Sequence, residues 1–227
     1  MKVAALVSGG KDSIYALYKA IKEGHEVKVL VSFVAKNEES YMFHIPNIKY
    51  AELIGKAIGI EIHQFMISGE KEFEVNEMKA ALHWLKREYE LEGVVSGAIA
   101  SKYQKERIDA VCKELELQSI APLWGIEPEK YLHELLKEGF KIIFSSVSAE
   151  GFDESWLGRE LDEKAIEDLK TLNRKHGVHL AFEGGEAETF VLDGPIFKRR
   201  IEINDAKKEW HGNCGVYKIN KASLIKK

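Results

Sequence analysis

The chain has 227 residues, 45% of them hydrophobic, which is enough to bury a real core as one large domain or two small ones. A formal charge of -4 argues against a general polyanion binder, and the two cysteines, Cys112 and Cys214, supply neither a four-thiolate zinc site nor a disulfide framework. The first residues show no basic segment followed by an apolar h-region, and no apolar run is long enough for a bilayer, so a cytoplasmic protein with neither a membrane nor a nucleic-acid partner is expected.

In chain order, VAALV at 3–7 reads as a strand, followed by a helix near 13–23, a strand EVKVLVSFV at 26–34, a helix near 48–58 and a strand EIHQFMI at 61–67. A helix near 72–91 comes next, with Phe73, Val75, Met78, Leu82, Leu85 and Tyr89 at roughly helical spacing. The strand GVVSGAI at 93–99, a helix near 102–116 and the strand QSIAP at 118–122 complete the alternation. Near-continuous apolar strands separated by helices predict a parallel sheet covered on both faces, a doubly wound α/β domain over residues 1–125. After Pro122 and Trp124 the order loosens into a helix near 127–138, a strand KIIFSSV at 141–147, a Gly-rich stretch, a helix near 162–175 and a β-leaning tail. This predicts a smaller α+β domain over 126–227, joined without a flexible linker.

The first strand-to-helix turn reads SGGKDS, residues 8–13. In a parallel α/β sheet ligands collect outside the carboxyl ends of the strands, and the first such turn presents backbone N–H groups at a helix start, which makes it an anion site. Gly9 and Gly10 let the backbone approach a phosphate without a Cβ in the way, Lys11 offers a point charge, and Ser8 and Ser13 offer hydroxyls. Asp12 repels a bare phosphate; it suits a phosphate that arrives with Mg²⁺, or a helix N-cap. Two familiar templates fail on spacing. A Walker loop needs glycine where Ala5 stands and Ser or Thr where Asp12 stands, and the dinucleotide fingerprint needs its first two glycines separated, whereas Gly9 and Gly10 are adjacent. The six residues instead resemble the PP-loop, S-G-G-x-D-S, of the ATP pyrophosphatases, enzymes that cleave ATP between the α and β phosphates.

A second stretch, EGGEAETFVLDGPIF at 183–197, sets Glu183, Glu186 and Glu188 around Gly184 and Gly185, which are expected to turn the chain into a strand. Clustered carboxylates can orient a metal, bind a cation or act as general base. The stretch is similar to the C-terminal motif of the diphthine–ammonia ligase family, a branch of the PP-loop ATPases with a Rossmann-like fold. The resemblance extends to SYMFHIPN (40–47), SGAIASKYQKERIDAVC (96–112), APLW (121–124) and SAEGFDESWLGRELD (148–162).

The resemblance implies that diphthine, a modified histidine of translation elongation factor 2, is amidated with ATP and ammonium, releasing AMP and pyrophosphate. It implies ATP and Mg²⁺ as cofactors, with Ser8 to Ser13, His44, Gly97 and Ser101 at the nucleotide and Asp12 at the metal. Tyr103, Gln104, Trp156, Glu183, Gly184, Gly185, Glu186, Glu188 and Thr189 fall to the substrate, and Lys11, Asp12, Arg107 and Glu186 to catalysis. A carboxylate becomes an amide only with a better leaving group than hydroxide, and adenylation supplies AMP for that purpose. A glutamine-hydrolysing enzyme needs a cysteine nucleophile; Met1 and Lys2 occupy the N-terminus, and Cys112 lies mid-helix among Ile108, Val111 and Leu115, so free ammonium is expected.

Each remaining candidate has a bland reading beside it. Ser101, Tyr103, Gln104 and Arg107 follow the fourth strand and either face the ligands or belong to a capped surface helix. His44 is either near the adenine or structural, and GFDESWLG at 151–158 is either a lid with an exposed Trp156 or a loop with a buried one. His211 and Cys214 make a poor metal site. Two rival functions stand: a PP-loop enzyme that modifies tRNA, which needs a basic or zinc-bearing extension not seen here, and a non-catalytic adenine-nucleotide-binding protein, which has no need of EGGEAET. Homo-oligomerisation is left open.

Overall fold

The computed structural model describes residues 1–36, 47–70 and 73–227. Its first half alternates β1 (Lys2–Leu6), α1 (Lys11–Lys22), β2 (Glu26–Ala35), α2 (Ala51–Ile58), β3 (Ile62–Ile67), α3 (Phe73–Tyr89), β4 (Gly93–Val95), α4 (Lys102–Glu114) and β5 (Gln118–Ile120). The five strands are parallel in the order β3-β2-β1-β4-β5. This is the doubly wound sheet expected, with its change of direction between β1 and β4, where such sheets hold ligands.

Both faces of the sheet are covered because the central strands are apolar on both sides. Ala4, Val29, Val31 and Val94 pack against Met78, Leu82 and Leu85 of α3 and Ile108, Val111 and Cys112 of α4. On the opposite face Val3, Ala5 and Leu30 meet Ile14 and Leu17 of α1 and Ile54 and Ala57 of α2. Helix starts follow side-chain chemistry: Ser101 accepts the N–H of Gln104 ahead of α4, and Asp162 accepts that of Ala165 ahead of the last helix.

The second half comprises α5 (Pro128–Lys137), β6 (Lys141–Val147), α6 (Glu163–His176), β7 (Ala187–Asp193), β8 (Arg199–His211) and β9 (Cys214–Lys226). Its strands form an antiparallel sheet in the order β7-β6-β9-β8. No gap in the core marks the passage from one half to the other. One hydrophobic cluster runs from Val3 and Ile14 through Tyr131 and Leu135 of α5 to Phe144, Phe190 and Ile219. α5 docks on α1 through the rings of Tyr15 and Tyr131, 5.4 Å apart, and through bonds from Tyr15 Oη to Glu134 (3.0 Å) and from Tyr18 Oη to Glu138.

Candidate active site

The carboxyl ends of β1 and β4 open on a cleft of about 470 Å³. Ser8, Asp12 and Ser13 form one wall, Ser96 and Gly97 a second, and Glu183 to Gly185 with Ala187 to Thr189 a third; Val31, Phe33 and Ile48 add an apolar side. The two sequence stretches that stood out, far apart along the chain, therefore share one cavity.

The first turn is tightly organised. Ser8 N–H donates to Ser13 Oγ (3.1 Å), Gly10 N–H to Ser8 Oγ (3.3 Å) and Ser13 Oγ to Gly10 O (3.1 Å). Gly10 is the N-cap of α1 and makes no side-chain cap, so the N-cap reading of Asp12 is corrected: it lies two residues inside the helix. The cap comes from the other half of the molecule, because Lys11 N–H donates to Thr189 Oγ1 at 3.0 Å and Val191 N–H to Gly9 O at 2.9 Å. β7 thus seals the turn, and it explains the first of the two glycines. Gly9 has φ +90°, and a Cβ there would lie 3.1 Å from the Phe190 ring, whereas one on Gly10 would make only ordinary contact, 3.4 Å from Thr189 O. Gly97 is constrained like Gly9, since its Cβ would stand 2.7 Å from the Ser13 nitrogen.

Lys11, expected to offer its charge to a phosphate, is 2% exposed. Its ammonium donates to both Asp12 oxygens (2.9 and 3.0 Å) and to Ala181 O (2.9 Å), and it lies 4.6 Å from the Phe182 ring centre. Asp12, 33% exposed, also accepts from Tyr131 Oη at 2.8 Å. Burial, reinforced by the Asp12 carboxylate, pushes the Tyr131 hydroxyl well up, so it remains a donor.

The three glutamates separate in role. Glu183 accepts from Ala100 N–H at 3.1 Å, and burial followed by the Asp12 charge raises its carboxyl. Burial raises Glu188 to about 7, with Lys11 pulling against it and Asp12 adding to it. Glu186, expected to be catalytic, does not line the cleft; its carboxylate accepts the N–H groups of His179 and Gly184, both at 2.9 Å, and so staples the loop that presents its neighbours. Gly184 and Gly185 make the expected turn, with Gly185 at φ +75°. Phe182 also has positive φ, 67°, a strained conformation for a bulky residue that costs on the order of 1–3 kcal/mol.

Ser101 and Gln104 reach the cleft wall, whereas Tyr103 and Arg107 do not; the Arg107 guanidinium stacks on Tyr103, 3.4 Å from its ring centre. The lid with an exposed Trp156 is corrected. That side chain is 5% exposed and packs edge-on against Phe144 and Phe152 in the core. His44 lies outside the described residues. Cys112 is buried, and burial with nearby Asp109 raises its thiol to about 11, so it stays an inert core residue. His211 and Cys214 flank the β8–β9 turn, and among the described residues no group of three His, Cys, Asp or Glu side chains could hold a metal ion. Tyr131, Ala181 and Phe182 escaped the sequence reading because a core tyrosine and a backbone carbonyl leave no local signal; only tertiary packing brings them to Lys11.

The profile of the "Diphthamide synthase N-terminal domain" matches residues 1–119, and that of the "Diphthamide synthase C-terminal domain" matches residues 127–225. The chain is similar to the diphthine–ammonia ligase of Mus musculus, 36% identical over 93% of this chain and 86% of that one, and to that of Homo sapiens, 34% identical over the same shares. The Schizosaccharomyces pombe diphthine–ammonia ligase is 34% identical over all of this chain and 40% of its own length. A solved structure described as a predicted subunit of tRNA methyltransferase from Methanocaldococcus jannaschii superposes with a TM-score of 0.43 and 18% identity, over 86% of this chain and 98% of that one, a likeness too low to bear on function.

Proposed function

The chain belongs to the diphthamide synthase family, and from that premise we propose how its cleft carries out the last step of diphthamide biosynthesis, the ATP-dependent ligation of ammonia to diphthine. The observation that carries the proposal is that the start of α1 and the carboxylates Glu183 and Glu188 open on one cleft at the carboxyl ends of β1 and β4. ATP lies with its phosphates over the α1 N-terminus, where helix-start N–H groups and the Ser8 and Ser13 hydroxyls meet anionic oxygens, and with its base toward Val31, Phe33 and Ile48. Mg²⁺ arriving with the phosphates would offset their charge, and Asp12, a partly exposed carboxylate on the cleft wall, is the residue that would hold it there.

The diphthine carboxylate, presented by elongation factor 2 in the cytoplasm, attacks the α phosphorus. The bond to the bridging oxygen breaks and pyrophosphate leaves. Ammonium enters beside Glu183 and Glu188; Glu188, whose carboxyl is raised to about 7, takes its proton, and the ammonia that results displaces AMP from the acyl-adenylate. The general-base role expected of Glu186 passes to Glu188 because Glu186 is bound to its own loop. Free ammonium agrees with the buried, inert Cys112.

The test is the fate of the nucleotide when diphthine-bearing elongation factor 2, ATP and ammonium are supplied. AMP and pyrophosphate in step with amide formation are expected, without glutamine; ADP and phosphate would overturn the scheme.

A further inference from the structure

We infer that Lys11 is a positioning residue: its ammonium ties the carboxylate-bearing loop to the first turn of α1 and does not serve the nucleotide's phosphates. The inference rests on the ATP site proposed above and deepens it.

An ammonium has three N–H donors, and here three acceptors meet them: the two Asp12 oxygens and Ala181 O. The group is covered on its remaining sides by the Phe182 ring at 4.6 Å and the Tyr131 ring at 5.8 Å. Paired with Asp12, it brings no net charge to the cleft. Lys11 lines the cleft beside Ser8 and Asp12, but its side chain is 2% exposed and its ammonium is already bonded to Asp12 and Ala181 O, which leaves it no donor to offer a phosphate. The contact it does make is well placed to matter. Ala181 immediately precedes Phe182, which holds φ 67°, and two residues on stands Glu183. Glu186 and Ser148 fasten the far side of this loop, through His179, Gly184 and Gly185. Toward the first half of the molecule only two bonds hold it among the described residues, Lys11 Nζ to Ala181 O and Ala100 N–H to Glu183. Removing the first leaves a strained turn secured on one side, and the loop that aims Glu183 and Glu188 slackens.

Lys11→Met is the direct test. Methionine has similar length; removing one partner of an ion pair is costly where the other charge is left buried, but Asp12 is 33% exposed and keeps the Tyr131 hydroxyl and its access to water. The KM for ammonium should rise by about tenfold or more and kcat fall toward ~10²-fold, the effect of a small misplacement of reacting groups. ATP affinity should change by less than about fivefold, the reach of one unneutralised, partly screened charge. Hydrogen exchange of the Phe182, Gly184 and Gly185 amides should accelerate while that of α4 stays as in the wild type. A loss of ATP affinity beyond tenfold with the ammonium KM and loop exchange unchanged overturns the inference, as does a variant with wild-type kinetics. Lys11→Gln, read by the same measurements, decides the matter if the methionine variant does not fold. Failure of the wild type to convert ATP to AMP would instead count against the function proposed above.

Discussion

Thr189→Val isolates the bond by which one half of the chain caps the first helix of the other. The side chains have nearly the same shape, and Thr189 is 4% exposed, so the substitution removes an oxygen and little else. Lys11 N–H then loses its buried acceptor, since Gly10 provides no side-chain cap. Loss of a capping oxygen costs about 0.5–2 kcal/mol, and an unsatisfied buried donor about 1–3 kcal/mol; the added methyl returns part of this, leaving roughly 1–2 kcal/mol. For a chain of this size that corresponds to a fall in Tm of about 2–8 °C. Thermal unfolding followed by circular dichroism measures it, with Thr189→Ser, which retains the oxygen, as the control. A valine variant that melts with the wild type, or a serine variant that loses as much as valine, would refute the capping argument.

Glu188→Gln should lower amide formation by ~10²–10⁴-fold with ATP binding intact, and the wild-type kcat/KM should climb with pH and level off above about 7, a limb absent from the variant. Stability moves the other way. Because Glu188 holds its proton more tightly folded than unfolded, its contribution is unopposed below its ordinary value of 4.5, declines as pH rises toward about 7 and stays low above; the glutamine variant should therefore gain melting temperature relative to wild type at about pH 8 but not at about pH 4. Glu186→Gln replaces one of two accepting oxygens with a donor facing N–H groups, and should cost about 1–3 kcal/mol in urea unfolding while retaining measurable activity. Gly97→Ala drives a Cβ into the backbone of the first turn of α1, so ATP binding should weaken together with stability, by about 1–3 kcal/mol; unaltered titration calorimetry would contradict that packing.

Much of the fold was legible because it depends on local chemistry. The apolar runs at 3–7, 26–34 and 141–147 are strands within a residue or two, and the helix expected near 102–116 is α4, begun by the Ser101 cap. The tail after the helix near 162–175 showed a β leaning, but its pairing order could not be read, since antiparallel register between β6 and β7 depends on contacts far apart in the chain. The site was legible as residue types and not as geometry. Glu183, Glu186 and Glu188 look equivalent in sequence, yet Glu186 turns back to its own backbone while the other two face the cleft. Lys11 has the charge a phosphate requires, yet its ammonium is buried and bonded to Asp12 and to Ala181 O, the latter a partner that only folding brings to it. Trp156 was misread because its glycine-flanked neighbourhood resembles a mobile loop, whereas Phe144, from a strand elsewhere, draws its ring inward.

The bond from Lys11 N–H to Thr189 spans 178 positions, and that separation bears on the order of events during synthesis. At about 5–20 residues per second, the segment translated first waits roughly 10–35 s for the strand that completes it. A nascent chain stalled short of that strand exposes a glycine-rich turn with an uncapped helix start, and should not retain ATP on the ribosome. Nucleotide capture then becomes a property acquired late in translation, only when β7 has emerged and folded back onto the beginning of the molecule.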